Sequence, residues 1–119
     1  MITNKPLFTI ITPTLNNKAE LLETINSIKA QNFNDYEYIV IDGGSTDGTI
    51  ELLKENNTIT SWISENDRGI YDAINKGIKT SKGKYINTIN AGDTYFSKNS
   101  LTIIKGYIEQ KNISFVFGA

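Results

Sequence analysis

Two aspartates follow apolar runs at points where loops begin. Asp42 comes directly after residues 38–41, and Asp93 comes four residues after the run 85–89. If both runs are parallel strands, the two carboxylates project from the same edge of one sheet, where they could hold Mg²⁺ or Mn²⁺ together with a diphosphate. The alternative is structural: Asp42 caps a turn or a helix, and Asp93 caps the helix that begins near Ser97.

A glycine-rich loop and one cation are the other candidates. The loop 43–48, Gly-Gly-Ser-Thr-Asp-Gly, resembles a phosphate cradle only loosely, because it follows the second strand and lacks the Gly-Lys-Ser/Thr of a P-loop. Its glycines also suit a tight turn. Arg68 lies in the polar stretch 65–77 and is placed where it could meet a phosphate. Tyr71 and Lys76 of that stretch could equally cover a solvated helix face.

The composition excludes several classes of chemistry. The chain of 119 residues contains no Cys and no His, so thiol nucleophiles, Ser-His-Asp triads and thiolate or imidazole zinc sites are excluded. Any metal must therefore be held by oxygen. The formal net charge of −1 argues against nucleic acid as a partner, because nucleic-acid-binding domains usually carry a basic excess on one face.

Length and hydropathy predict one globular unit. The chain is 39% hydrophobic and 21% charged, which is ordinary for such a domain. The longest apolar run is the short segment 38–41, whereas a membrane-spanning helix needs about 20 residues. The N-terminus lacks the basic stretch and apolar block of a secretion signal, so we expect a cytoplasmic location. Nothing follows the apolar segment 114–117 to cover it, which predicts a truncated domain.

Strand and helix patterns alternate along the whole chain. Apolar, β-branched runs predict strands at 7–11, 38–41, 59–64, 85–89 and 114–117. Apolar residues at helical spacing predict helices that include 21–28, 50–53, 70–78 and 101–108. The alternation predicts an α/β fold with a mostly parallel sheet and helices on both faces, which binds ligands where its strands end.

Local signals predict the ends of these elements. Pro13 is expected to end the first strand. Asn17 and Glu20 are expected to cap the first helix with their side chains. Gly83 is expected to stop the third helix by adopting a positive φ.

Four segments, in this order, resemble the family 2 glycosyltransferases, which have the GT-A fold. They are Thr-Pro-Thr-Leu-Asn at 12–16, Val-Ile-Asp-Gly-Gly-Ser-Thr-Asp-Gly-Thr at 40–49, Asp-Arg-Gly-Ile-Tyr-Asp-Ala-Ile-Asn-Lys-Gly at 67–77, and Asn-Ala-Gly-Asp at 90–93. The resemblance is strongest to the branch that builds bacterial exopolysaccharide, capsule and lipopolysaccharide chains. It implies a Rossmann-like three-layer α/β/α fold, with residues 1–119 as the nucleotide-sugar-binding part and the C-terminal acceptor part missing.

The resemblance also implies roles for individual residues. The residues implied to bind the nucleotide are Pro13, Thr14, Leu15, Asp42, Arg68 and Asn90, and the implied metal ligand is Asp93. Position 43, where the family usually has a second Asp, is Gly43, so the contact of that carboxylate is lost or replaced. The acidic metal motif is reduced to one carboxylate, and Mg²⁺ or Mn²⁺ would take its other ligands from water and substrate phosphates.

The implied reaction transfers a sugar, with inversion and with a divalent metal, from a nucleotide-sugar donor to a saccharide or lipid-linked acceptor. In the family the catalytic base lies in the C-terminal half, so the catalytic residue is unknown and we expect donor binding with little transfer. Because acceptors in such pathways are often linked to lipids, the protein could also attach peripherally to the inner face of the membrane.

Other functions stay open beside this one. The main alternative is a non-catalytic nucleotide-binding α/β module. A receiver-like signalling module needs acidic residues after the first strand, and a nucleotidyltransferase needs a glycine-rich loop there, whereas this chain has Thr-Pro-Thr-Leu at 12–15. A structural or interaction role, with the last strand seeking a partner edge, also remains.

Overall fold

The computed structural model describes residues 5–111, which form a parallel sheet with helices on both faces. The strands are β1 (Phe8–Thr14), β2 (Tyr36–Asp42), β3 (Ser61–Ser64) and β4 (Tyr85–Thr88). The helices are α1 (Lys18–Lys29), α2 (Thr49–Glu55), α3 (Ile70–Thr80) and α4 (Ser100–Lys111). The strand order is β3-β2-β1-β4 and each pairing is parallel. The predicted fold class is confirmed; the strand predicted at 114–117 lies outside the described residues.

Two apolar cores cover the two faces of the sheet. Ile10 and Ile11 lie in different cores, because neighbouring residues of a strand point to opposite faces. Ala73 of α3 lies in the smaller core. The larger core contains Leu21 of α1, Leu53 of α2 and Leu101 of α4. The structure is therefore the three-layer α/β/α arrangement that the resemblance implied. No helix within residues 5–111 is long and apolar enough to cross a membrane.

The first strand continues through Pro13, so the prediction that Pro13 ends it is wrong. Pro13 pairs with Ile41 of β2, while β4 pairs with β1 only as far as Ile11. The carbonyl of Ile11 accepts the N–H of Ile89 on the β4 side, at 2.9 Å. Alternate residues of a strand direct their backbone groups to the same neighbour, so Pro13 faces the side where β4 has ended. The missing N–H of proline therefore costs no ladder hydrogen bond.

The first helix is capped from a distant loop. Asn17 is the N-cap residue, but no side-chain hydrogen bond caps the helix there, so the predicted pairing of Asn17 with Glu20 is wrong. Instead, the backbone N–H of Lys18 donates to a carboxylate oxygen of Asp47 at 3.0 Å, 29 residues further along the chain. A negative charge at this end also suits the helix dipole, which makes the distant cap effective.

Gly83 is required for space and not for a positive φ. Helix α3 ends at Thr80, its C-cap residue Ser81 has φ −72°, and Gly83 is not among the positive-φ glycines of the described chain. The predicted positive-φ stop is therefore wrong. An ideal Cβ on Gly83 would lie 2.5 Å from the backbone nitrogen of Thr9, because the turn before β4 passes directly against β1.

We expect Gly83→Ala to lower the free energy of unfolding by about 1–3 kcal/mol, because the added methyl group must displace the β1 backbone. Gly106→Ala is the matched control. In the part of the chain that the structure describes, an added Cβ at Gly106 has no neighbour within 4 Å, and alanine in a helix interior stabilises by about 1 kcal/mol relative to glycine. Urea unfolding followed by far-UV circular dichroism measures both. Equal stabilities for the two variants would contradict this account of Gly83.

Candidate functional site

A cleft of about 300 Å³ opens at the carboxyl ends of β1 and β4. It is lined by Pro13, Thr14, Leu15, Asn17, Asp67, Gly69, Ile70, Ala73, Asn90 and Ala91. Successive strands are added on one side of β1 up to β3 and on its other side from β4, so the strand order reverses between β1 and β4, which is where open α/β sheets bind ligands. Of the residues predicted to bind the nucleotide, this cleft brings together Pro13, Thr14, Leu15 and Asn90.

Thr14 carries a polar group that the fold leaves without a partner. The residue is 7% exposed, and its hydroxyl makes no hydrogen bond within the described part of the chain. A buried hydroxyl without a partner costs free energy, so such groups are uncommon in folded proteins. Thr14 lines the cleft, but its hydroxyl oxygen is itself covered, so a bound molecule would reach this oxygen only after a local shift of the cleft wall.

Asp42 is fully buried and does not line the cleft. One oxygen of its carboxylate accepts the backbone N–H of Ser45 and the hydroxyl of Ser64, both at 2.8 Å, and the other accepts the hydroxyl of Ser45. These contacts confirm the alternative in which Asp42 caps a turn. They fix the loop 43–48 against the end of β3. A direct contact between Asp42 and the nucleotide stays a prediction.

The loop 43–48 is tied to the loop that follows β1. The backbone N–H of Asn16 donates to the hydroxyl of Ser45 at 2.7 Å, and the side-chain oxygen of Asn16 accepts the N–H of Thr46 at 2.8 Å. The hydroxyl of Thr49 donates to Asp47 and, with the backbone N–H groups of Lys18 and Thr49, lowers the pKa of that carboxyl. The loop 43–48, which follows the neighbouring strand β2, thus holds the side of the cleft that β1 and its following loop form.

Asp67 lines the cleft and is missing from the residues predicted by sequence. Its carboxylate lies against Gly43: an ideal Cβ on Gly43 would be 3.1 Å from one carboxylate oxygen and 3.3 Å from the other. One oxygen accepts the N–H of Gly69 at 2.9 Å. Asp67, like Asp42, is an acidic residue shortly after a strand, and this position in the sequence could have identified it. The preceding strand, β3, has only four residues, so its sequence pattern is weak.

Helix α3 holds the loop 65–69. The backbone N–H of Arg68 donates to the carboxylate of Asp72 at 3.0 Å. The ammonium of Lys76 lies 3.3 Å from the Glu65 carboxylate and 3.7 Å from that of Asp72. Lys76 therefore tethers the loop and does more than cover a helix face. The side chain of Arg68 is exposed beside the cleft and is not part of its lining.

Asp93 lies in the turn after β4, next to the cleft but outside its lining. Its backbone is fixed, because its N–H donates to the carbonyl of Asn90 at 2.9 Å and its carbonyl accepts the hydroxyl of Thr24 at 2.7 Å. The exposed carboxylate makes no hydrogen bond or ion pair with residues 5–111. Helix α4 begins at Ser100, so the alternative in which Asp93 caps a helix near Ser97 is wrong.

A metal at this edge would depend on few protein ligands. Within residues 5–111 no group of three or more acidic side chains is placed to hold an ion. The Asp93 carboxylate is exposed and has no partner among the described residues, which fits a divalent ion that keeps several waters and takes its other ligands from phosphates. The donor set therefore fits Mg²⁺ or Mn²⁺ only together with a phosphorylated ligand.

The Asp72 contact makes the loop 65–69 sensitive to acid. The N–H of Arg68, with a smaller contribution from Lys76, lowers the pKa of Asp72 below its ordinary value of 3.8. The folded state thus favours the carboxylate, so this contribution is present above about pH 4 and is lost as the pH falls through the lowered pKa. We expect the NMR signal of the Arg68 amide to titrate with a midpoint below 3.8, and not to titrate in Asp72→Asn. A midpoint at or above the ordinary value would contradict the assignment.

The chain belongs to glycosyl transferase family 2, whose family model matches residues 9–119. A PGL/p-HBAD biosynthesis glycosyltransferase of Mycobacterium bovis is 32% identical over 121 residues, which cover 95% of this chain and 46% of that protein. Glycosyltransferase GlyG of Streptococcus pneumoniae is 29% identical over 116 residues, which cover 94% of this chain and 38% of that protein. The chain thus spans less than half the length of these relatives.

Solved structures share the fold. TarS of S. aureus, in a structure of its residues 1–349 with UDP-GlcNAc, aligns with a TM-score of 0.78 and 26% identity over 88% of this chain and 32% of that one. The mannosyltransferase PcManGT of Pyrobaculum calidifontis, solved with GDP-Man and Mn²⁺, aligns with a TM-score of 0.79 and 22% identity over 87% of this chain and 32% of that one. The expected GT-A fold is confirmed.

Proposed function

We propose that this chain is the donor-binding part of an inverting, metal-dependent glycosyltransferase of bacterial surface polysaccharide biosynthesis. The donor is a nucleotide-sugar and the acceptor is a saccharide or a lipid-linked saccharide. The observation that carries the proposal is the cleft at the reversal of strand order, in a family 2 chain, with a Thr14 hydroxyl in its wall that has no hydrogen-bond partner within residues 5–111.

The cleft has the chemistry that a nucleoside needs. Pro13, Leu15 and Ala91 offer apolar surface to a flat ring and a ribose, and Thr14 and Asn90 offer polar groups. Asp42 contributes through the loop 43–48, which its buried carboxylate holds in place.

The diphosphate end of the donor is assigned to the rim of the cleft, where the exposed residues Arg68 and Asp93 lie outside its lining. Arg68 supplies a cation beside the cleft, where it stabilises negative charge on the departing diphosphate. Asp93 would hold the divalent ion, which, when bound, neutralises charge on the leaving group. The ion's affinity for the chain alone is low, because a single carboxylate contributes.

The acceptor side of the reaction is assigned to another part of the protein. The chain covers less than half of the relatives it matches, which supports residues 1–119 as the donor part, with the catalytic base and the acceptor contacts elsewhere. We expect this chain to bind donor and to transfer little sugar. The proposed location is the cytoplasm, with peripheral attachment to the inner face of the membrane through a lipid-linked acceptor.

Calorimetry with UDP-, GDP- and dTDP-sugars, each with and without Mn²⁺, tests donor and metal together. We expect one donor to bind, more tightly with Mn²⁺, and Asp93→Ala to reduce the affinity in Mn²⁺ to its metal-free level, a loss of roughly tenfold or more. Glu55→Ala, which removes an exposed acid at the end of α2, should leave binding unchanged. No binding of any donor would overturn the proposal and favour a role without nucleotides.

Thr14→Val separates binding from stability at the cleft wall. The variant keeps the shape of the side chain and removes a buried hydroxyl that has no partner in the described chain, so the free energy of unfolding should be unchanged or higher. The affinity for the donor should fall roughly threefold to tenfold. Thr102→Val, at an exposed position on α4 where the hydroxyl makes one long hydrogen bond of 3.4 Å to the carbonyl of Asn32, is the control for both measurements. A stability loss with unchanged affinity would show that the hydroxyl serves the fold.

A further inference from the structure

We infer that Thr24 is a positioning residue for the proposed metal site: its hydroxyl, on helix α1, fixes the turn 90–93 and with it the direction of the Asp93 carboxylate. The inference rests on the proposed function, because it takes Asp93 as the residue that holds the divalent ion. It goes beyond that function by assigning the placement of this ligand to a buried side chain 69 residues away in the chain.

The hydroxyl of Thr24 lies against the backbone of the turn 90–93. Thr24 is fully buried on α1. Its hydroxyl donates to the carbonyl of Asp93 at 2.7 Å and makes a longer contact of 3.3 Å with the carbonyl of Asn90. The same oxygen accepts the backbone N–H of Gly92 at 2.9 Å. One side chain therefore contacts three of the four residues of the turn, including both that the proposed function uses.

The direction of this hydroxyl shows that it serves the turn rather than its own helix. A threonine inside a helix commonly donates to the carbonyl three or four residues earlier. Thr80 of α3 does so, with its hydroxyl 3.1 Å from the carbonyl of Gly77. At Thr24 the carbonyl four residues earlier belongs to Glu20, and this carbonyl accepts the N–H of Gly92 at 3.1 Å. Within residues 5–111, the hydrogen bonds of the Thr24 hydroxyl all go to the turn.

The turn packs directly on α1. Gly92 has φ +98°, a conformation that residues with a side chain rarely adopt. An ideal Cβ on Gly92 would lie 3.2 Å from a carboxylate oxygen of Glu20. The N–H of Asp93 donates to the carbonyl of Asn90 at 2.9 Å, which closes the turn on itself. The turn is therefore a short closed unit whose attachment to α1 includes the Thr24 hydroxyl.

A metal site with one protein carboxylate depends on where that carboxylate points. The Asp93 side chain is exposed and has no hydrogen bond or ion pair with residues 5–111, so its direction is set by its backbone. Freedom that the turn has in the unbound chain is lost on binding, and this loss weakens the affinity. Groups that orient a metal ligand commonly change metal affinity by roughly tenfold or more without touching the ion. The Thr24 hydroxyl acts on the ion in this way, through the backbone of Asp93.

The test measures by calorimetry how much Mn²⁺ strengthens the binding of UDP, GDP and dTDP to the full chain, relative to EDTA. Thr24→Val keeps the shape of the side chain and removes the hydroxyl. For the nucleotide that binds most tightly, we expect the affinity in Mn²⁺ to fall roughly tenfold and the affinity in EDTA to stay within about twofold. Thr24→Ser keeps the hydroxyl and should keep the Mn²⁺ effect, although the loss of a buried methyl group lowers its stability.

Ser27→Ala is the matched control on the same helix. The hydroxyl of Ser27 accepts the N–H of Tyr95 at 2.8 Å, so it anchors the segment just beyond the turn. The variant should lower the free energy of unfolding and leave the Mn²⁺ effect unchanged. A merely structural role of Thr24 predicts instead that Thr24→Val and Ser27→Ala change the Mn²⁺ effect to the same extent.

Hydrogen exchange of the turn gives a readout without metal or nucleotide. We expect the Gly92 amide to exchange several-fold faster in Thr24→Val than in the unmodified chain, because it loses one of its two acceptors, and to be unchanged in Ser27→Ala. If Thr24→Val does not fold, Thr24→Ala and Thr24→Ser form a second pair that differs only in the hydroxyl. The alanine variant should then lose the Mn²⁺ effect and the serine variant should keep it.

The outcomes separate this inference from the proposed function. If a nucleotide binds with a Mn²⁺ effect that Thr24→Val or Thr24→Ala keeps, positioning by Thr24 is wrong while the proposed function stands. An equal loss in Thr24→Ser, or unchanged exchange of the Gly92 amide in Thr24→Val, would also overturn it, because the hydroxyl would not be the cause. If none of the three nucleotides binds to the unmodified chain, the proposed function fails, and if Mn²⁺ strengthens none, its metal fails. In both cases the inference fails with it.

Discussion

The buried carboxylate of Asp42 is the interaction on which both walls of the cleft depend. A carboxylate with no access to water must have its oxygens hydrogen-bonded, or its burial is very costly. Here the donors are Ser45, in the loop after β2, and Ser64, at the end of β3. The need to satisfy one charged group therefore fixes where two separate loops leave the sheet.

The consequences of that contact reach the residues that line the cleft through short chains of hydrogen bonds. Ser45 accepts the N–H of Asn16 and so holds the loop after β1, in which Leu15 follows Thr14, the last residue of the strand; both line the cleft. Asp47, in the same loop as Ser45, caps α1. On the other side, the segment that leaves β3 after Ser64 is anchored to α3 and carries Asp67. The cleft is thus positioned by polar contacts, while the apolar cores on either face hold the sheet.

Two neighbouring residues with opposite charges divide the cleft and its rim. Asp67 lies in the cleft against Gly43, and Arg68 stands outside it, exposed, with only its backbone fixed by Asp72. The cleft therefore presents a negative charge inside and a positive charge beside it. The loop can do so because α3 holds its backbone and leaves both side chains available.

The amino-acid sequence by itself determined the alternation of strands and helices, the α/β class, the family and four residues of the cleft, Pro13, Thr14, Leu15 and Asn90. These follow from local periodicity and from short motifs, since parallel strands that end in loops bring those loops to one edge. Only the tertiary structure decided that Pro13 lies inside a strand, because that depends on where β4 stops beside it. Only the tertiary structure also decided the hydrogen bonds between residues 22 to 45 positions apart, such as Asp42 with Ser64 and Glu37 with Lys82. It likewise decided that the Asp67 carboxylate lies against Gly43. Such contacts are set by the order of strands in the sheet and by the packing of the loops between them, which no local pattern encodes.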